Sequence, residues 1–249
     1  MPIRPSASRP SASLAAPPAL AAALILGAAP AAQAVVLYDG GPMDSNSPIT
    51  NQDFEAAYDS FDIYVVDDVS FAQDVIVNAV SSIFQFQAAV AGPIDFHVLI
   101  FDGSEPLDAA DDPASLGEWG VTASGALTHV TGGIYDVTVG DLSIALAAGD
   151  YFIGLTPVYP FSSGGQSYQF TSTATEGDSW FIRNPGDGFG TGSAWYSGTA
   201  YTGYEKHDMV MTIEGEVAAP AVPLPAPALL LGAGVLALAG AARRRVSRA

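Results

Sequence analysis

The chain of 249 residues carries 26 aspartate and glutamate residues against 8 lysines and arginines, for a formal net charge of −18, and it contains no cysteine. A field of this sign repels phosphate backbones and anionic lipids, so the composition excludes nucleic-acid binding and peripheral attachment to anionic membranes. The lack of cysteine excludes disulfides, so any exported domain of this chain must be held together by core burial.

The first 34 residues have the organisation of a secretory signal peptide. Two arginines precede an alanine- and leucine-rich stretch over residues 14–29, and a small-x-small site formed by Ala32 and Ala34 follows it. A basic flank, a short apolar segment and such a site are the features of a signal peptide that signal peptidase cleaves. We expect cleavage after Ala34 and a mature protein that begins at Val35.

The acidic residues are confined to the segment between the two ends of the chain. All 26 lie in residues 35–219, where Arg183 and Lys206 are the only basic residues, so this segment has a net charge of −24. We therefore divide the chain into a signal peptide (1–34), one acidic ectodomain (35–219) and a C-terminal sorting or anchor segment (220–249). Calcium, basic surfaces and neutral glycans are partners that such a charge admits, although solubility in salty surroundings explains it without any partner.

The ectodomain has the pattern of a series of short strands. Segments rich in β-branched and aromatic residues, separated by Gly, Pro, Asp and Ser, cover residues 61–66, 75–86, 94–101, 134–139, 151–155, 168–173, 179–182 and 208–213. No helix of ordinary length can be drawn between Val35 and Ala219. We predict an all-β fold, a jelly-roll-like antiparallel β-sandwich, flanked by the N-terminal signal peptide and a C-terminal hydrophobic sorting helix.

The middle of the ectodomain combines strands and turns in a recognisable order. An apolar strand from Phe96 to Gly103 is followed by a long acidic loop, and an Ala-Gly-Asp-Tyr turn at residues 148–151 leads into another core strand. This pattern resembles the jelly-roll ectodomains of exported bacterial proteins. The resemblance spans residues 61–214, rests on hydrophobicity and turns, and bears on the fold alone.

The acidic loop after this strand contains a candidate metal site. Asp108, Asp111 and Asp112 place carboxylate oxygens at close spacing, and Ca²⁺ prefers oxygen ligands of this kind. The loop matches no EF-hand, and charge runs in loops usually face water, so the alternative is a solvated turn between two strands. Calcium is the one cofactor that the sequence suggests.

Aromatic residues concentrate between residues 180 and 204, among glycines and serines. Rings presented by such loops can stack on sugar faces, so Trp195, Tyr196 and Tyr201 are candidate glycan-binding residues. The alternative, and the more common fate of bulky aromatic residues, is burial in the core. The glycine-rich stretch 184–192 lacks the strand-to-helix context of a nucleotide site and is expected to be a mobile loop.

No catalytic motif stands out in the sequence. The chain lacks a Gly-x-Ser-x-Gly elbow, a His-Glu-x-x-His pair and a Walker loop. His97, His129 and His207 are isolated from one another in the sequence, and no two of the 26 carboxylates stand out as a glycosidase pair. We therefore predict a protein that is not an enzyme.

The C-terminal segment combines a proline motif, an apolar run and a basic end. Its parts, in order, are Val222, Pro223, Leu224, Pro225 and Ala226, an uncharged apolar run over residues 228–242, and the arginines Arg243, Arg244, Arg245 and Arg248. As a helix the run is about 22 Å long, against a hydrocarbon core of about 30 Å. It therefore spans a membrane only if the proline-rich start lies in the interface, with the basic end in the cytoplasm.

This order of features resembles the PEP-CTERM class of bacterial sorting signals, in the variant whose motif reads Val-Pro-Leu-Pro-Ala. In that class an exosortase-type membrane enzyme recognises the motif, cuts near it and passes the protein to the cell surface or to an extracellular polymer matrix. The resemblance implies that Pro223 and Pro225 are recognition residues and that the four arginines are a stop-transfer anchor. The alternative is an ordinary membrane anchor that is never cut.

Together these features predict an exported, non-enzymatic protein of the cell surface or of an exopolysaccharide matrix. It would be anchored in the bacterial cytoplasmic membrane only until its tail is processed. The expected partners are signal peptidase, an exosortase-like processing enzyme and an exopolysaccharide or other surface glycan. The alternatives are a carbohydrate-binding module acting alone and, with less support, an extracellular glycan hydrolase.

Overall fold

A computed structural model describes residues 34–174, 177, 179–203 and 207–218. No helix among these residues is longer than five residues, and none is long and apolar enough to cross a membrane. Ala34 is exposed just ahead of the first strand. Ala32, the proline motif and the four C-terminal arginines lie outside the described residues, so their roles stay predictions.

The strands, numbered in chain order, are β1 (Val35–Asp39), β2 (Met43–Thr50), β3 (Tyr64–Phe71), β4 (Val75–Phe86), β5 (Ile94–Asp102), β6 (Val121–Thr131), β7 (Ile134–Val139), β8 (Ile144–Leu146), β9 (Gly149–Pro157), β10 (Ser167–Ser172), β11 (Phe181–Arg183), β12 (Tyr196–Ser197) and β13 (Met211–Val217). Two short helices, α1 (Phe161–Gly164) and α2 (Gly198–Thr202), and two single 3-10 turns, Asp59–Phe61 and Pro113–Ser115, complete the elements. Each pairing between two of these strands is antiparallel, which confirms the predicted all-β class.

The first sheet is built around β4, which has 12 residues. One edge of β4 pairs with β13 and, further along, with β10, whose other edge carries β2. The other edge pairs with β8 and then with β7, and β1 lies on the far side of β13. Because β4 is hydrogen-bonded on both edges, it can be buried on its inner face and still satisfy its backbone.

The strand β6 belongs to both sheets and connects them into a sandwich. Its first half pairs with β5 up to Gly125, and its second half, from Ala126, pairs with β7. Beyond β5 the second sheet continues through β9, β3, β11 and β12. At the crossing, a Cβ on Gly125 would lie 2.6 Å from ring carbons of Phe96 on the adjacent strand β5, so the inward ring of Phe96 leaves room there only for glycine.

The main core fills the space between the two sheets. Inward residues of β4, β7 and β13 meet inward residues of β5, β9 and β3. Phe84 of the first sheet contacts Phe96 of the second with ring centroids 5.7 Å apart, and Phe86 contacts Tyr159 at 5.0 Å. Burying a side chain of this size contributes about 1.5–3 kcal/mol, so this apolar layer supplies the main driving force for folding.

The second sheet is also covered on its outer face. Leu99 and Phe101 point to that face, yet their exposed fractions are 0% and 3%. They form a second apolar layer with Phe152, and Leu107 and Trp195 pack over it. The acidic loop after β5 and the segment after β11 therefore form a partial third layer.

A buried hydrogen-bond network ties the two sheets to each other. The side-chain amide of Asn51 donates to the carbonyl of Leu155 at 2.9 Å and to Oε1 of Gln169 at 2.6 Å, and its Oδ1 accepts from the hydroxyl of Thr156 at 2.7 Å. Gln169 in turn donates to Oγ of Ser82 at 2.9 Å. Asn51 thus joins β9 of the second sheet to β10 and β4 of the first, with every polar atom of its side chain paired.

The neighbouring Gln52 extends this network to the segment after β9. Its amide donates to the carbonyl of Tyr159 at 2.6 Å and to that of Gly165 at 3.1 Å, while its Oε1 accepts from the backbone N–H of Ser167 at 2.7 Å. Asn51 and Gln52 are both fully buried. Two consecutive amide side chains therefore fix the chain between β2 and β3 against three separate segments.

Replacing Asn51 with alanine should destabilise the protein strongly. The change leaves the Thr156 hydroxyl, Gln169 Oε1 and the Leu155 carbonyl without their partner in the interior, and an unpaired buried polar group costs about 1–3 kcal/mol. We expect the free energy of unfolding from urea titration to fall by about 3 kcal/mol or more. Thr128→Ala, on the exposed face of β6, is the matched control and should change it by less than about 0.5 kcal/mol. Equal values for the two variants would contradict this role.

Candidate functional site

The three aspartates of the predicted calcium loop each accept a hydrogen bond within their own loop. Asp108 accepts from the backbone N–H of Ala110 at 2.6 Å, Asp111 from that of Asp108 at 2.8 Å, and Asp112 from that of Ala114 at 3.2 Å. Among the described residues, no group of three or more acidic, histidine or cysteine side chains is placed to hold a metal ion. The contacts are those of carboxylates that stabilise turns, and calcium binding stays a prediction from sequence.

The three aromatic residues predicted to bind glycan lie in different surroundings. Trp195 packs edge-on against Phe101 at 5.9 Å and donates its indole N–H to the carbonyl of Asp111 at 2.8 Å. Tyr196 lies in β12, half-buried against a small apolar cluster. Tyr201, in α2, is 40% exposed. The structure therefore gives Trp195 and Tyr196 packing roles, and the three rings do not form one stacking platform.

His97 forms side-chain hydrogen bonds with two other residues, an arrangement that sequence reasoning missed. Its Nε2 lies 2.7 Å from Oδ2 of Asp53, and its Nδ1 lies 2.7 Å from the hydroxyl of Thr122. The order hydroxyl, imidazole, carboxylate is that of a nucleophile with its base. Acyl transfer also needs free donors for an oxyanion, whereas β5, which carries His97, is hydrogen-bonded on both edges by β6 and β9. We interpret the two hydrogen bonds of His97 as structural links that hold β5, β6 and the segment after β2 together.

A polar groove crosses the outer face of the first sheet. Its volume is about 470 Å³, and its walls include two hydroxyl-rich strands and the carboxylates of Asp136 and Glu214. The hydroxyls of Ser81 and Thr138 lie 2.9 Å apart on its floor. Groups that can both donate and accept hydrogen bonds are suited to sugar hydroxyls, so this groove is the better glycan candidate.

The two carboxylates of the groove are too far apart for glycoside hydrolysis. Asp136 lies opposite Ile83 and Glu214 opposite Ala79, on the two strands that flank β4. Asp136 and Glu214 are separated by two interstrand spacings and by four residues along the strand direction. Their backbones therefore lie about 16 Å apart. A hydrolase needs its carboxylates about 5–10 Å apart, so this pair does not supply that chemistry.

A separate pocket is lined almost wholly by aromatic rings. It has a volume of about 170 Å³, and its lining residues are Phe54, Tyr58, Phe61, Phe161, Gln166 and Phe189. Phe161 contacts Tyr58 with ring centroids 5.2 Å apart, and Phe61 contacts Phe189 at 5.3 Å, in both cases edge to face. Phe161 and Phe189 are 38% and 36% exposed, so the pocket opens to solvent.

Three segments that are distant in sequence build this aromatic pocket. The carboxylate of Glu55 accepts from the backbone N–H groups of Phe161 and Ser162, which fixes the start of α1 against residues 54–61. The backbone N–H of Gly188 donates to the carbonyl of Ser60 at 2.6 Å. The glycine-rich stretch was expected to be a mobile loop, but it is anchored here and carries Phe189 to the pocket.

Two carboxylates beside the aromatic pocket differ in their electrostatics. Hydrogen bonds from Ser162 lower the pKa of Glu55 to about 2, so it is ionised at neutral pH. Asp62 accepts from the backbone N–H of Phe54 at 2.8 Å. Partial burial nevertheless raises the pKa of Asp62 to about 7, because the loss of water outweighs that hydrogen bond.

Asp67 is a carboxylate buried in the interior of the sandwich. Its Oδ2 accepts from the backbone N–H of Met209 at 2.8 Å and from the hydroxyl of Tyr38 at 3.2 Å, while Oδ1 has no hydrogen-bond partner among the described residues. Removal from water raises the pKa of Asp67 well above its ordinary value, and the nearby Asp208 and Asp68 raise it further. Asp67 therefore keeps its proton where exposed aspartates have lost theirs.

No protein-family model matches the chain, and no curated protein sequence matches it.

The stability of the mature protein should fall as the pH rises from about 4 towards 8. The folded-state pKa values of Asp62 and Asp67 lie above the unfolded value of about 3.9, so the folded state binds more protons across this window and the free energy of unfolding decreases with pH. Asp67→Asn should flatten this decline and raise stability at the upper end of the range, as measured by urea unfolding across the window. Asp95→Asn, an exposed aspartate of β5, controls for net charge. An unchanged slope in Asp67→Asn would contradict the assignment.

Proposed function

We propose that this chain is an exported, non-enzymatic protein of the cell surface or of an exopolysaccharide matrix, sorted by its Val-Pro-Leu-Pro-Ala tail. The observation that carries the proposal is the order of proline motif, apolar run and arginine cluster directly after an acidic ectodomain. Nothing comparable in the sequence directs the chain to another compartment. In this proposal the ectodomain is a jelly-roll-like sandwich that the tail delivers outside the cell.

The limits of the folded domain support this division of the chain. The strand β1 begins at Val35, the residue that follows the expected signal-peptidase site, and β13 ends at Val217, just before the proline motif. A signal peptide and a sorting tail can both be removed without loss of any strand that the structure describes. Processing at both ends therefore leaves the sandwich complete.

The proposed export route involves two processing enzymes and ends at the cell surface or in the extracellular matrix. Signal peptidase cuts after Ala34 during export, and the C-terminal helix holds the protein transiently in the cytoplasmic membrane. An exosortase-like enzyme then acts near Ala226 and passes the ectodomain to the surface or the matrix. An ectodomain with a net charge of −24 would stay hydrated and soluble there.

Carbohydrate binding is a second candidate function, favoured by the polar groove on the first sheet. The groove offers hydroxyls from β4 and β7 and the carboxylates of Asp136 and Glu214 as hydrogen-bonding groups. It lies away from Trp195, Tyr196 and Tyr201, so this candidate no longer rests on those rings. A glycan hydrolase is disfavoured by the separation of the two carboxylates.

The tail predicts two processing events that intact mass can detect. Protein recovered from the surface or medium should lack the first 34 residues and the segment after the proline motif. Changing Pro223 and Pro225 together to alanine should trap the longer form in the membrane, because the recognition residues are lost. Pro220→Ala, just outside the motif, is the matched control and should be processed normally.

Recovery of exported protein that still ends at Ala249 would show that the tail is an ordinary membrane anchor that is not cut. Unchanged localisation of the Pro223 and Pro225 variant would lead to the same conclusion. Replacing the four arginines tests a separate step, since it should weaken retention in the membrane before cleavage.

The groove predicts weak binding of a neutral polysaccharide. Single sites of this polarity bind sugars with dissociation constants in the millimolar to micromolar range, about −4 to −8 kcal/mol. On a glycan array the mature protein should retain a neutral glycan, and Asp136→Asn with Thr138→Val should lower the signal about tenfold or more. Thr128→Ala should leave it unchanged. An array with no signal for the unmodified protein removes this candidate and leaves the surface-protein proposal standing.

A further inference from the structure

The aromatic pocket has the wrong chemistry for a sugar. Its only lining side chain with an amide is Gln166, and Oε1 of that residue already accepts from the hydroxyl of Tyr168 at 2.7 Å. Beyond Gln166 the lining offers one polar side-chain group, the hydroxyl of Tyr58, so most hydroxyls of a sugar in this pocket would lose water without gaining hydrogen bonds, which is unfavourable. The pocket is suited to a group that needs no hydrogen-bond partner.

The pocket is also small. Sites for drug-sized ligands have volumes of about 300–1,000 Å³, whereas this one has about 170 Å³. It therefore fits one compact group and not a polymer segment. The open side, flanked by Phe161 and Phe189, leaves room for a chain attached to that group.

The charge around the pocket is negative, and no lysine or arginine among the described residues neutralises it. The carboxylate of Glu55, which is ionised at neutral pH, accepts a hydrogen bond from the backbone of Phe161 in the pocket wall; that of Asp62, which accepts from the backbone of Phe54, adds negative charge as the pH rises past about 7. Arg183, the one lysine or arginine within the described residues, is held by the carbonyls of Asp111 and Ser193. A cation entering the pocket would therefore meet attraction and no competing positive charge.

Aromatic faces attract cations by a further mechanism. The π-face of a ring carries partial negative charge and attracts a cation within about 6 Å of the centroid, most strongly when the cation is weakly hydrated. A quaternary ammonium group is weakly hydrated and presents only methyl groups to the rings. It thus combines the shape, the apolar surface and the charge that this pocket accepts.

We propose that the aromatic pocket formed by Phe54, Tyr58, Phe61, Phe161 and Phe189 binds small soluble organic cations, namely quaternary and methylated ammonium compounds. The site is independent of the sorting tail and of the polar groove. It gives the exported protein a ligand of a definite class, whichever surface it is delivered to.

The test compares choline with its neutral isostere, 3,3-dimethylbutan-1-ol, on the mature exported protein. The two have the same shape, so a difference in affinity reports the charge. We expect a millimolar dissociation constant for choline by NMR titration, and binding of the isostere at least fivefold weaker. Tetramethylammonium should bind more tightly than ammonium, because only the methylated ion suits the rings. Glucose should show no binding at this site.

Matched substitutions locate the binding to the pocket. Phe161→Leu keeps an apolar wall and removes a π-face, so choline affinity should fall at least fivefold; Phe189→Leu provides a second variant with the same expectation. Tyr201→Leu removes an exposed ring elsewhere and should leave the affinity unchanged. An unchanged thermal midpoint in the leucine variants shows that loss of binding is not loss of folding.

Three outcomes would overturn the proposal. Equal affinity for choline and the neutral isostere would mean that the pocket recognises apolar shape alone. Choline binding that survives both leucine variants but disappears in about 0.5 M salt would mean diffuse attraction to the acidic surface, which salt screens. Absence of choline binding at concentrations well above the millimolar range would mean that the pocket does not accept this class.

Discussion

The hydrogen bonds of Asn51 and Gln52 are the constraint on which the arrangement of the sandwich depends. The chain has no disulfide, and the described residues contain no salt bridge between a lysine or arginine and a carboxylate. Two apolar sheet faces attract each other without fixing their relative position, because burial is not directional. The hydrogen bonds of the two amide side chains are directional. Each donor therefore meets its acceptor at only one relative position of the two sheets. Gln52 also fixes the segment after β9, which carries Phe161 of the aromatic pocket.

A net charge of −24 on residues 35–219 opposes compact folding by self-repulsion, yet the structure gives many carboxylates a local task. Aspartates of the loop after β5 stabilise their own turns, and Glu55 holds the start of α1. Asp67 is accommodated by giving up its charge. Arg183 donates hydrogen bonds to internal carbonyls, and its guanidinium carbon lies 6.0 Å from the ring centroid of Trp195. It therefore does not neutralise the surface charge. The negative field therefore extends into solvent largely uncompensated.

The sequence predicted the buried strands well and the polar ones poorly. The predicted segments 75–86 and 134–139 coincide with β4 and β7, because both strands bury β-branched or aromatic residues at regular spacing. The strand β6 was missed, since most of its residues are exposed and it is rich in Thr, Ser and Gly. Its role depends on pairing with two different partners, which no local pattern reports. The strand β2 was missed for a similar reason, as it contains proline and pairs on one edge only.

The candidate sites show the same limit. Loop aspartates and clustered aromatic residues attract attention in a sequence, but Asp111 and Trp195 turned out to contact each other as part of a covering layer. The aromatic pocket draws its rings from positions more than 100 residues apart, each among polar or glycine residues. His97 and Asp53 are likewise separated by 44 positions. Composition identifies which chemistry is available, and only tertiary contacts show which groups meet.

The position of β13 has a mechanical consequence for a protein held by its C-terminal end. This strand lies between β1 and β4 and is hydrogen-bonded to both, and the chain continues from it towards the tail. A pull on that end acts along the strand axis when it is resisted at the opposite end of the strand, near Met211 and its partner Ser82. The cross-strand hydrogen bonds on both edges then bear the load together in shear, instead of opening one after another as in a peeled hairpin. A tethered domain built this way withstands tension in flow without needing a covalent cross-link.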